Sequence, residues 1–104
     1  MKYDITQPLV LFNGVSPTVG TSEAARPMTL RDALEFACVN ASAELAKTGE
    51  QKLKFFTILE RVHDAALDVE LSAEDVALIK KSAGELYTIP MVGALYKALE
   101  GAQG

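Results

Sequence analysis

From Thr29 onward the apolar residues return every three or four positions: Leu30, Ala33, Leu34, Ala37, Cys38, Ala41 and Leu45. That spacing gathers them on one side of a helix, predicted to run from a Thr29 cap to about Lys47, with Asp32 placed favourably against the helix dipole. Gly49 closes it, and Thr48 with Gln51 forms a T-x-x-Q box that opens a second helix over about 49–67. Its stripe is Phe55, Ile58, Leu59, Val62, Ala65, Ala66 and Val69. Ser72 with Asp75 starts a third helix carrying Val76, Ile79, Ala83, Leu86 and Tyr87 to one side. Ile89-Pro90 interrupts the period, because proline lacks the amide and pushes its predecessor out of helical geometry. A last short helix is expected from Met91, burying Val92, Leu95, Tyr96 and Leu99 and ending at Gly101. Val69-Glu70-Leu71 is too short to assign.

Before Thr29 the pattern changes. Leu9-Val10-Leu11-Phe12 is an unbroken β-prone run, Asn13-Gly14 is the dipeptide that best tolerates two positive φ angles in a type I′ turn, and Val15 resumes the apolar pattern. A β-hairpin is predicted there, confined to an edge or shortened by Pro8 and Pro17, which cannot donate to a ladder. Residues 16–28, with Pro17, Gly20, Thr21, Ser22 and Pro27, read as a long irregular connection. An isolated ribbon is marginal in water, so the hairpin must dock on the helices or pair with another chain. The expected fold is α+β: an N-terminal β-hairpin packed on a bundle of three to four helices. It forms a single domain over 1–104, with hairpin and connection in 1–28 and the helical part in 29–101.

At 104 residues and 49% apolar, the chain can bury one core without disulfides or metal. No run approaches ~18 apolar residues and the opening Met1-Lys2-Tyr3-Asp4 leads into no signal-peptide core, so a soluble intracellular protein without membrane partners is expected. The net charge of −4 is uneven: residues 1–61 carry seven basic and seven acidic side chains, residues 62–104 three and seven.

The residues suited to chemistry do not assemble into a catalytic set. Cys38, the single cysteine, falls on the main stripe of its helix, where it behaves as a small hydrophobe. His63, the single histidine, sits by helical spacing beside Phe56 and Leu67 and has no evident nucleophile or orienting group. Glu60, Asp64 and Asp68 recur every four residues, so on a helix reaching 67 they would share a face. Together with Glu70, Glu74 and Asp75 they form an acidic region, but the spacing of a calcium loop is missing. Lys47, Lys52 and Lys54 cluster, yet an acidic chain without a recognition motif lacks the footprint of a nucleic-acid binder. No enzyme activity, metal or cofactor is expected, and no direct nucleic-acid binding.

Surplus apolar surface is the stronger signal. Phe36 and Val39 point away from the first helix's stripe, and Leu53, Phe56 and Leu67 form a separate ridge on the second. Helices with two apolar faces are central in a core or committed to a partner. Four consecutive apolar residues on an edge hairpin are likewise buried on both sides or paired between chains. Leu9, Val10, Leu11, Phe12, Phe36, Val39, Leu53, Phe56 and Leu67 are therefore the expected partner-binding residues, with a homo-oligomer as the simplest outcome. A compact monomer, whose hairpin and last helix cover these faces, is the other.

The order of segments resembles that of small, functionally unassigned proteins of tailed bacteriophages and prophages. The resemblance rests on Tyr3-Asp4-Ile5-Thr6-Gln7-Pro8-Leu9 leading to Asn13-Gly14, and on the helix start Met28-Thr29-Leu30-Arg31-Asp32-Ala33. It continues through Gly49-Glu50-Gln51-Lys52-Leu53-Lys54-Phe55, the stretch Val69 to Lys81, and the ending Val92 to Gly101. These are structural signatures, and Ile89-Pro90-Met91 matches the family's proline turn only approximately. The resemblance implies phage origin, a place in the host bacterial cytoplasm or the virion, and no reaction. Combined with the apolar surplus, it leads to an expected role as an oligomeric virion or assembly accessory protein. The alternative is an early phage inhibitor binding a host enzyme or defence complex through an acidic helix face bearing Glu60, Asp64 and Asp68.

Overall fold

The computed structural model describes residues 1–21 and 23–101. Its elements, in order, are β1 (Lys2–Asp4), β2 (Thr18–Val19), β3 (Arg26–Pro27), α1 (Leu30–Val39), α2 (Gly49–Asp64), β4 (Asp68–Glu70), α3 (Ala73–Leu86) and α4 (Ile89–Glu100). This is the α+β arrangement expected, a small N-terminal hairpin with four helices.

The hairpin's strands, however, are β2 and β3, paired antiparallel with Thr18 opposite Pro27 and Val19 opposite Arg26. They fall inside the stretch read as an irregular connection, of which Ser22 lies outside the described residues. Gly20 supplies the turn: its φ of +96° suits glycine, and a Cβ there would meet the Ala24 carbonyl oxygen at 3.0 Å. The run Leu9–Phe12 is not a strand. Among the described residues only glycines have positive φ, so Asn13 cannot complete a type I′ turn. Gly14 (φ +82°) instead closes a three-residue loop, donating its amide to the Leu11 carbonyl at 3.0 Å while Leu11 donates to the Val15 carbonyl at 2.9 Å. Asn13 Oδ1 accepts from the Val15 amide, which tightens the loop further.

What anchors the N-terminal segment is its backbone. Ile5 donates to the Leu67 carbonyl, Leu30 to Gln7, Arg31 to Ile5 and Leu9 to Met28, each at 2.9–3.0 Å. Residues 5–9 thus lie along the start of α1, and Ile5 and Leu9 point into the core. β1 pairs antiparallel with β4, Tyr3 opposite Val69. Val69 and Glu70 of the untyped segment are therefore strand, with Leu71 just past its end, and this pairing is why α2 stops at Asp64 rather than 67. The Arg31 guanidinium donates to the Ala65 and Ala66 carbonyls just past that end.

Thr29, Thr48 and Ser72 each form a full capping box, with Asp32, Gln51 and Asp75 returning the bond. α1 ends eight residues earlier than expected. Asn40 turns both its amide and its Nδ2 onto the Phe36 carbonyl at 3.0 Å, and Ser42 begins a separate turn. Short polar side chains here bond the backbone locally and compete with helix continuation. At the other end of the chain Pro90 occupies the first turn of α4, where its missing amide costs nothing, so Ile89-Pro90 begins the last helix instead of preceding it. α1 is the central element, packing against α2, α3 and α4. Among the described residues no helix is long and apolar enough to cross a membrane.

Candidate functional site

Leu9 does not belong to an exposed face. It is 2% exposed, its backbone held by the Met28 bond and its side chain packed in the core. Its three neighbours line a cleft of about 700 Å³ between the segment 7–12 and the outer side of α4. Phe12 is 84% exposed at its edge and Ile89 89% exposed across from it, with Val10 and Pro90 between. Lys97 is the charged residue of the lining and Gln7 its polar one; the other lining residues are apolar. Ile89 was missed by periodicity: as the first helical residue before a proline, it falls outside the buried stripe of α4, and its apolar character had no partner position to betray it.

The helical candidates divide among separate places. Val39 and Phe56 border a second cleft, about 560 Å³, between α1, the irregular residues after it and α2. Leu53 turns toward the junction of α2 with α3, where it lines a shallower cleft with Leu78. Phe36 lies against Tyr87, their rings stacked at 5.6 Å, so part of its surface is spent inside the molecule. Leu67 is exposed in the turn between α2 and β4. The expected single ridge of Leu53, Phe56 and Leu67 is therefore not formed, because α2 ends before Leu67.

The acidic face fails for the same reason. Glu60 and Asp64 are on α2, but Asp68 begins β4, so three carboxylates in a helical row do not exist. Among the described residues no three His, Cys, Asp or Glu side chains converge to hold a metal ion. Asp75 closes the α3 capping box and accepts from Arg61 at 3.1 Å, and Glu74 pairs with Lys54 at 3.4 Å, so both act in helix contacts.

His63 is exposed, its Nδ1 3.3 Å from Glu35. Cys38 is buried, and burial, with Asp75 and Glu35 nearby, pushes its thiol up to about 12, far from nucleophilic. Tyr87 donates its hydroxyl to the Ala33 carbonyl at 3.0 Å, and burial raises it to about 12 as well. The titratable groups that depart most from their ordinary values are thus tied to the fold. What the surface offers is exposed apolar side chains around three clefts. Comparison with protein-family models, curated proteins and solved structures found no match to this chain.

Proposed function

We propose that this chain works through protein contacts rather than chemistry, as an oligomeric accessory of a tailed-phage virion or of its assembly. The observation that carries the reading is the pair of large apolar side chains, Phe12 and Ile89, held almost fully in water on either side of a preformed cleft. Isolated exposed apolar residues are ordinary, but two aligned across one concavity make a contact surface. The resemblance to small phage proteins, carried by Tyr3–Leu9 and Met28–Ala33, supplies the setting. Host cytoplasm during assembly and the finished particle are the corresponding locations.

Fractionation of cells producing the phage tests this. The chain should sediment with particles or their assembly intermediates and stay with them through washing. Recovery only in the soluble fraction, at every stage of infection, overturns the reading.

A further inference from the structure

Outside its buried stripe, α2 has two flanks. On one, Lys54 and Arg61 reach α3 and are paired there with Glu74 and Asp75. The other carries Lys52, Phe56 and Glu60 at intervals of four, a single ridge on the helix surface. Among the described residues neither Lys52 nor Glu60 enters an ion pair, although the other basic side chains of α2, Lys54, Arg61 and His63, all lie within 4 Å of a carboxylate. Between them Phe56 is 44% exposed and, with Val39 and Lys52, borders the α1–α2 cleft.

A ridge reading basic, aromatic, acidic complements itself in one sense only. A two-fold axis lying in the contact plane beside Phe56, at right angles to the row, reverses it: Phe56 meets Phe56, and Lys52 of each copy comes beside Glu60 of the other. Ridges of four-residue spacing are the ones that interdigitate in the commonest helix crossing, where they run side by side at an interaxial angle of about −50°. Parallel pairing would set Lys52 against Lys52 and Glu60 against Glu60. Lys47, just before α2, and Asp64, in its last turn, extend the same polarity, both exposed and, among the described residues, outside the ion pairs.

We propose that the occupant of this flank is a second copy of the chain, docked α2 against α2 in antiparallel sense, with Phe56 at the two-fold axis and two Lys52–Glu60 pairs across the interface. The proposal rests on the reading that the chain acts through protein contacts, and it names the partner and the geometry of one such contact. The argument is charge complementarity: the two-fold arrangement that places Phe56 on Phe56 while joining unlike charges is the antiparallel one.

Sedimentation velocity of the full chain, from low micromolar to several hundred micromolar, is the test. A reversible dimer is expected, weakened by added salt. Glu60→Lys or Lys52→Glu alone should weaken it about tenfold at low ionic strength, since each replaces two attractions by two repulsions. The double exchange Lys52→Glu with Glu60→Lys should return the dissociation constant to within about threefold of the native value. Phe56→Ser should abolish the dimer. All three positions of substitution are on the helix surface, and far-UV circular dichroism confirms that each variant is folded. A monomer throughout the range overturns the proposal, as does a dimer indifferent to the reversals, or one that the double exchange fails to restore. None of these outcomes touches association with particles, and soluble recovery of the chain would leave a charge-dependent dimer standing, so the two readings fail separately.

Discussion

Asp32 shows how much one side chain does for the junction of hairpin and helices. Its carboxylate accepts from the Arg26 guanidinium of β3 at 2.7 and 2.8 Å and from the Thr29 amide at 2.9 Å. The Arg26 bond above all, with the Thr29 bonds and charge attraction adding to it against burial, holds this carboxyl down at about 2. A depressed folded-state value means that the ionised form stabilises the fold above the unfolded carboxyl's range, and that this contribution is lost as pH falls through the folded value. Asp32→Asn should cost about 1–2 kcal/mol near neutrality, the scale of a lost cap and a charged hydrogen bond at a partly exposed site. Urea midpoints measured against pH should show native and variant converging between about pH 4 and pH 2. A gap that persists at pH 2 would mean that Asp32 acts through packing instead. Cys38 yields a second residue-level expectation: a thiol pushed up to about 12 by burial stays protonated and out of reach at pH 8. Iodoacetamide should leave it unmodified in the native protein and label it fully in denaturant. Labelling at equal rates in both would place Cys38 at the surface.

Among the elements, helix starts were far more legible than helix ends. Thr29, Thr48 and Ser72 announce themselves because a capping box is a local device, complete within four residues. The end of α2 depends on groups distant in sequence, and that of α1 joins the local bonds of Asn40 to a distant one. α1's last carbonyls illustrate this: Ala37's accepts a 2.6 Å bond from Ser82 Oγ, a fully buried hydroxyl on α3 that no periodicity would single out. Ser82→Ala leaves that carbonyl buried without its partner, and a loss of about 1–3 kcal/mol is expected in chemical denaturation, with secondary structure unchanged. A neutral result would show that water reaches the α1–α3 seam. The same distance effect truncated α2, because β1 arrives from residues 2–4 to pair with β4. The misplaced hairpin has a different cause. Asn13-Gly14 correctly marked a tight loop, but its backbone took the three-residue form, whereas the true strands are two residues each and carry almost no apolar alternation. The candidate site inherited these errors: Phe56, inside α2, and Val39, the last residue of α1, are exposed beside one cleft as their helical spacing indicated, while Leu9, Leu67 and Asp68 fall where an element's boundary was misread.

At the scale of the whole molecule, the apolar run that opens the chain is divided between two duties, and this division can be tested directly. Leu9 is 2% exposed and Phe12 84%, three residues apart, because the Leu9 amide is pinned to Met28 while the loop beyond Leu11 swings outward. If the run served the core alone, both residues would matter to stability. Leu9→Ala should cost about 2–5 kcal/mol, the range for truncating a buried leucine. Phe12→Ser combined with Ile89→Ser should change stability by no more than about 0.5 kcal/mol per site, since neither side chain gives up much contact on unfolding. Their effect should appear instead in function: the double variant should fold, retain the dimer built on α2, and fail to stay with particles. Retention equal to the native chain's would remove the 7–12 and α4 cleft from the functional account. A large loss of stability would instead make Phe12 and Ile89 part of the fold. The contrast between the two experiments separates a core residue from a contact residue within one stretch of sequence that hydropathy alone treats as uniform.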